Sequence, residues 1–233
     1  MPNNQNSKDV KFSKTALVLA VIALGSVIGV IEVLGKEFLH QVNFPYRSGV
    51  LVGFGFGIAG IGFAIFKKPL IIIGLALVAV ICKQLVVPIL GLSFMCKANA
   101  CVAVMLEYGS LAAIAAITMN RMQKNANMRT LTAGASVFLG AITYYLIGMH
   151  IKPCSYMLSF NVPGGFVKFL IVEGLIWAAF AAILFPLGWT VGERLSEKTF
   201  VLFEQNPRLF YLKSALTAVV CFIACIISIS IQG

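Results

Sequence analysis

Long apolar runs alternate with short polar breaks along the whole chain. The runs lie at about 16–35, 48–66, 69–90, 101–119, 131–149, 167–189 and 211–231. Each is close to the roughly 20 residues that an α-helix needs to cross about 30 Å of hydrocarbon. Because lipid offers no hydrogen-bond partners to free backbone groups, each run must be helical. The pattern predicts an all-α, polytopic membrane helix bundle with about seven spans.

The breaks between the runs carry turn-forming residues, as in Asn43-Phe44-Pro45, Lys67-Lys68-Pro69 and Val162-Pro163-Gly164-Gly165. No polar stretch is long enough to form a separate soluble domain. We therefore expect a cytoplasmic N-terminal tail over residues 1–15 and a single transmembrane domain over residues 16–233.

Charge adds an orientation to this picture. The chain is 60% apolar and only 11% charged, and its net charge is +10. The basic residues lie in short loops rather than on one element, which argues against nucleic acid as a partner. With the N-terminus inside, 12 of the 18 basic residues fall on the cytoplasmic side and 6 on the outer side. This bias predicts a cell-membrane protein with a cytoplasmic N-terminus and an outer C-terminus.

An internal repeat links two helical hairpins, at about 69–119 and 131–189. A shift of 66 residues places Leu92-Ser93-Phe94 on Leu158-Ser159-Phe160 and Glu107 on Glu173. Both units would run in the same direction through the membrane, so the repeat is parallel. Transporters often carry internal repeats, with the substrate site where the repeats meet.

Three acids fall inside the apolar runs: Glu32, Glu107 and Glu173. A charged residue within a span costs roughly 2.5–3.5 kcal/mol on insertion, so it needs a partner or a wet cavity. At 1.5 Å per residue, Glu107 and Glu173 lie roughly 9–12 Å below the outer helix ends. Their equal depth predicts one shared cavity that opens to the outside.

The candidate ligand-binding residues are Glu107 and Glu173, with support from Asn99, Tyr108, Glu32, Lys83 and His150. Two carboxylates favour a cationic or hydrogen-bond-donating solute, a small molecule rather than a macromolecule. The alternative is that the acids form structural pairs, for example Glu107 with Lys83, which hold the helices in register.

Cysteines mark the two outer loops of the repeat. Cys96 or Cys101 would bridge to Cys154, or the first two would pair with each other, in an oxidising compartment. Free thiols are the alternative. A soft-metal site with Met95, Met149, His150 and Met157 is a third reading, but the spacing matches no known metal motif, so no metal site is assigned.

The sequence contains no nucleophile elbow, phosphate-binding glycine loop or nucleotide fingerprint. We therefore expect neither an enzyme nor a bound cofactor.

Small residues at helical spacing in the first run, Ala16-x-x-x-Ala20 followed by Ala23, Gly25 and Gly29, give the chain a family resemblance. Together with its size, orientation and outer pocket, they make it similar to the substrate-binding (S) components of energy-coupling factor importers. The resemblance implies that Ala16 and Ala20 contact a membrane coupling subunit, and that two separate ATPases drive uptake. The chain begins Met1-Pro2-Asn3-Asn4 and so lacks the Met-His start of the nickel and cobalt type.

Two other function classes stay open. The first is a stand-alone secondary transporter or channel that uses Glu107 and Glu173 as a proton or cation relay. The second is a structural subunit of a membrane complex, which would bind lipid and protein neighbours but no solute.

Overall fold

Seven long helices form the body of the computed structural model, which describes residues 12–151, 153 and 155–232 apart from the side chains of Cys96 and Gln232. They are α1 (Lys14–Gln41), α2 (Arg47–Phe66), α3 (Leu70–Leu90), α4 (Ala98–Lys124), α5 (Ala126–Gly148), α6 (Gly165–Gln205) and α7 (Pro207–Gln232). All seven are long and apolar enough to cross a membrane. The predicted all-α bundle of about seven spans is therefore confirmed, and the protein is a multi-pass membrane protein.

Local chemistry sets the helix ends. Ser13 caps α1, because its Oγ accepts a hydrogen bond from the Ala16 amide at 3.1 Å. Lys67 adopts a left-handed conformation, with φ of 52°, and ends α2 just before Pro69. Such short breaks make consecutive helices antiparallel. The α1–α2, α3–α4 and α5–α6 connections therefore share one end of the bundle, which we call the wide-loop end and which is the predicted outer end.

Helix α6 is much longer than the predicted span at 167–189. It contains 41 residues, or about 60 Å at 1.5 Å per residue, roughly twice the thickness of the hydrocarbon core. The polar segment after Trp189 is the direct continuation of α6, and the break comes at Asn206, before Pro207.

Glycines bring α2 and α6 into backbone contact. A Cβ added at Gly188 of α6 would collide with the Gly57 carbonyl of α2, and one added at Gly60 would lie 2.5 Å from the Phe185 carbonyl oxygen. Close backbone approach at small residues is a common way for membrane helices to pack, since burial from water cannot drive their association.

Six helices form a ring in the contact order α1, α3, α4, α5, α6 and α2, and α2 closes it against α1. Helix α7 lies outside the ring and packs mainly on α1. Its most apolar stretch is 22% buried, whereas that of α2 is 67% buried. The ring, without α7, therefore encloses the interior of the bundle.

The small-residue face of α1 is used within the chain. Ala16 is fully buried and Ala20 is 6% exposed. Further along the helix, Gly25 lies against Val78 of α3 and Gly29 against Cys82. The structure thus places Ala16 and Ala20 in intramolecular packing rather than on an outer face where a coupling subunit would bind.

Candidate functional site

A cavity of about 570 Å³ lies inside the helix ring, near the wide-loop end. Residues from α1 to α6 line it, together with Tyr156 and Met157 of the short helix Ser155–Leu158. It reaches the exposed side chains of Lys36 and His40 at the wide-loop end. The cavity is thus bounded by the ring and extends to the predicted outer side.

All three intramembrane acids line this cavity. Glu32 comes from α1, Glu107 from α4 and Glu173 from α6. The structure therefore brings together Glu107 and Glu173, the two carboxylates that the sequence predicts at equal depth. The repeat that pairs these two residues stays a prediction.

Two of the acids lie on π-helical turns within long helices. Glu32 belongs to the turn Ile31–Gly35 of α1, and Glu173 belongs to the turn Leu170–Gly174 of α6. Single π turns are rare within α-helices, and those that occur often lie at functional sites. Glu107, in contrast, lies on regular α-helix. The widened turns displace the backbone where two different helices meet the same cavity.

Glu32 is paired with Lys83. The Lys83 Nζ lies 2.7 Å from Glu32 Oε2, and the two side chains are only 15% and 8% exposed. This buried ion pair links α1 to α3. The sequence suggests Glu107 as a partner of Lys83, but in the structure Lys83 forms its ion pair with Glu32.

Glu173 is held by three neutral donors. Ser48 Oγ donates to one carboxylate oxygen at 2.5 Å, and Trp177 Nε1 donates to the same oxygen at 2.7 Å. The Tyr156 hydroxyl donates to the other oxygen. These bonds fix the carboxylate in the half-buried wall of the cavity and occupy much of its accepting capacity.

Glu107 differs from both other acids. Its side chain is 3% exposed and lines the cavity, yet it has no hydrogen-bond or ion-pair partner among the described residues. Behind it, Gly140 lets α5 approach so closely that an added Cβ would lie 2.9 Å from the Glu107 Cα. A buried carboxylate without a partner is costly. It therefore marks the floor of the cavity as a place where a ligand would gain a strong hydrogen bond.

Three aromatic rings form one wall. The ring centroids of Tyr144 and Trp177 are 6.1 Å apart, those of Phe169 and Trp177 are 5.8 Å apart, and those of Tyr144 and Phe169 are 6.2 Å apart. The lining also includes apolar residues of α4, namely Ala100, Ala103 and Val104. Apolar walls with a few polar groups are typical of sites for small molecules.

Three of the predicted supporting residues do not line the cavity. Asn99 donates to the Gly148 and Ile151 carbonyls at 2.8 and 2.9 Å and accepts from Tyr144, so its amide ties α4 to the end of α5. Tyr108 is buried against Phe56, with ring centroids 5.2 Å apart. His150 is exposed in the turn after α5.

The cysteine prediction can be followed only at Cys101. Its thiol is free, buried and hydrogen-bonded by Gln84 Nε2 at 3.4 Å. Neither predicted pairing of Cys101 is therefore formed. Cys154 lies outside the described residues, as does the side chain of Cys96, and a Cys96–Cys154 disulfide stays a prediction. Within the described part of the chain, no three His, Cys, Asp or Glu side chains form a metal-binding group.

Several lining residues were missed as candidates, among them Ser48, Arg47 and Phe169. The sequence could have identified Phe169, because Phe169, Glu173 and Trp177 are spaced by four residues and so lie on the same side of a helix. Ser48 and Arg47 had none, since only the fold shows that the start of α2 faces α6.

Comparison of the chain with known protein families, with curated proteins and with solved structures gave no match.

Proposed function

We propose that the protein is the solute-binding component of a membrane uptake system, which takes up a small molecule from the outer face as energy-coupling factor S components do. The observation that carries the proposal is the convergence of Glu32, Glu107 and Glu173, from three helices, on one cavity. Ligand sites typically measure about 300–1,000 Å³ and combine apolar walls with a few polar groups. The cavity has that size and that lining.

In such a system this chain binds the solute, and a coupling subunit with two ATPases drives its release inward. Because Ala16 and Ala20 are packed within the chain, the coupling subunit would bind another surface of the bundle. Co-purification of the tagged protein with an ATPase from its native membrane tests this part of the proposal.

Solute binding is tested by a thermal-unfolding screen of the detergent-purified protein against vitamins, amines, amino acids and divalent metals. A ligand at 100 times its Kd should add about 2.7 kcal/mol of stability. The matched variants are Ala103→Trp, which fills the cavity, and Ala113→Trp, which adds the same ring to an exposed position of α4. We expect the first to abolish the ligand-induced shift and the second to keep it.

Either of two results would contradict the proposal. One is the absence of a shift with every solute class. The other is a shift of equal size in Ala103→Trp and in the parent protein, which would place binding elsewhere.

A second candidate, a stand-alone secondary transporter, is favoured by the polar groups beyond Glu107. The Thr118 and Thr132 hydroxyls lie 3.1 Å apart across the α4–α5 contact, on the side of Glu107 away from the wide-loop end. Acids within membrane spans often belong to the proton relays of pumps and transporters, and Glu107 would serve as such a group. Solute accumulation by the protein alone in liposomes without ATP would favour this candidate, whereas binding without accumulation favours the S-component type.

A further inference from the structure

Two side chains of opposite charge line the cavity without an ion-pair partner among the described residues. Glu107 has no partner among the described residues and is 3% exposed. Arg47 uses only Nε, which donates to the Phe44 carbonyl at 3.0 Å, and forms no ion pair within the described part of the chain. Its guanidinium has further N–H donors in a planar fork that suits a carboxylate.

The formal charges of the lining cancel. Three acids (Glu32, Glu107 and Glu173) stand against three bases (Lys36, Arg47 and Lys83). A solute with a single net charge would leave this balance disturbed in a largely apolar surrounding, where uncompensated charge is costly. A solute that carries one charge of each sign would preserve it.

The two unpaired charges lie at different depths. The Tyr108 side chain, next in sequence to Glu107, packs against Gly55 of α2. Arg47 precedes Gly55 by eight residues (55 minus 47) and so lies about 12 Å nearer the wide-loop end. The free acid is therefore deep in the cavity and the free base is near its mouth.

An apolar surface connects these two levels. Gly140 packs against Glu107, and Tyr144 follows one turn later on α5, toward the wide-loop end. Tyr144 contacts the rings of Phe169 and Trp177, which complete the aromatic wall. A carbon body would lie on this wall, and its ammonium end would gain from the aromatic faces as well as from Glu107.

A bare metal ion fits these features poorly. The cavity volume of about 570 Å³ far exceeds that of an ion, and the described residues contain no cluster of three His, Cys, Asp or Glu ligands. Volume and lining both favour an organic solute.

We propose that the ligand of this cavity is an organic zwitterion, whose ammonium group donates to Glu107, whose anionic group binds Arg47 and whose carbon body packs on Tyr144, Phe169 and Trp177. This inference rests on the proposed solute-binding function and names its substrate class.

The test uses four probes that share one benzene ring and differ in the charge of its substituents. They are 4-(aminomethyl)benzoate as the zwitterion, benzylamine as the cation, 4-methylbenzoate as the anion and 4-methylbenzyl alcohol as the neutral compound. Affinity for the purified full chain in nanodiscs is measured by calorimetry and by thermal shift. We expect the zwitterion to bind most tightly.

Two variants assign the ends of the zwitterion. Glu107→Gln should weaken the zwitterion and benzylamine about tenfold or more, and leave 4-methylbenzoate unchanged. Arg47→Gln should weaken the zwitterion and 4-methylbenzoate by a similar factor, and leave benzylamine unchanged. Glu197→Gln and Arg194→Gln, at exposed positions of α6 outside the cavity, are the matched controls and should not change the affinity for any probe.

A second variant at position 107 covers the case in which Glu107→Gln does not fold. Glu107→Asp keeps the charge but moves it by one methylene, and it should weaken binding of the two ammonium probes selectively.

The inference is overturned if the anion or the alcohol binds most tightly, if neither variant changes the order of affinities, or if no probe binds. The proposed function fails separately. If a solute of another charge class binds and Ala103→Trp abolishes its binding, the zwitterion inference fails but the proposed solute-binding function stands. If no solute in the whole screen binds, both fail.

Discussion

The two carboxylates that the sequence pairs have different surroundings in the structure. Glu173 accepts hydrogen bonds from Ser48, Tyr156 and Trp177, so its oxygens are fixed by the protein. Glu107 lines the same cavity with no partner among the described residues. The first residue therefore shapes the wall of the cavity, and the second is the group that a ligand would contact through a charge-assisted hydrogen bond.

Lys83 stabilises the cavity through its buried ion pair with Glu32. We expect Lys83→Met to lower the free energy of unfolding by about 3–5 kcal/mol, because it leaves the Glu32 charge buried without compensation. Thermal unfolding in detergent measures the loss. The double variant Glu32→Gln with Lys83→Met should recover most of it, since both charges are then removed. A single variant as stable as the parent protein would show that the pair contributes nothing.

Residue depth could be predicted from the sequence, whereas side-chain partners could not. Position along a span fixes depth at 1.5 Å per residue, and this placed Glu107 and Glu173 at one level. Partners depend on how each helix is rotated about its axis and on which helices are neighbours. For this reason Lys83 pairs with Glu32 instead of Glu107, and the Asn99 amide holds backbone carbonyls instead of lining the cavity.

At the scale of elements, the α2–α6 contact positions Ser48 against Glu173. We expect Gly188→Ala to destabilise the protein by about 1–3 kcal/mol or more, because the new Cβ would collide with the Gly57 carbonyl and force the two helices apart. Thermal unfolding in detergent measures the stability.

Gly109→Ala is the matched control for this substitution. Nothing lies within 4 Å of a Cβ at Gly109, which is also in a helix, so we expect no loss and a gain of up to about 1 kcal/mol. Equal stability of the two variants would mean that the backbone contact at Gly188 does not hold α2 and α6 together.

The seven spans were predictable because hydropathy and length report directly on the bilayer. Other features of the elements were not. The polar residues that follow Trp189 predict an end to the span, but the helix α6 continues to Gln205. A helix of this length extends beyond the apolar layer, so the end of the span is not the end of the helix. The π turns at Ile31–Gly35 and Leu170–Gly174 carry no distinctive residue pattern, so only the structure reveals them.

At the scale of the whole molecule, the two ends of the bundle differ. The cavity lies near the wide-loop end. Near the opposite end, Arg129 lies 2.9 Å from a Glu193 carboxylate oxygen and packs over the Trp189 ring at 4.7 Å, which fastens α5 to α6. Access to the cavity from the wide-loop end, which is the predicted outer end, is the arrangement that binding from outside requires.

The most direct measurement is the labelling of a Glu107→Cys variant in intact cells with a small, membrane-impermeant thiol reagent, read at residue 107 by mass spectrometry. Ala113→Cys, at an exposed position on the same helix outside the cavity, is the control. We predict that position 107 is modified from outside and position 113 is not, because only the first lines the cavity, which we propose opens to the exterior. Modification of position 107 only after the cells are permeabilised, or not at all, would contradict the account.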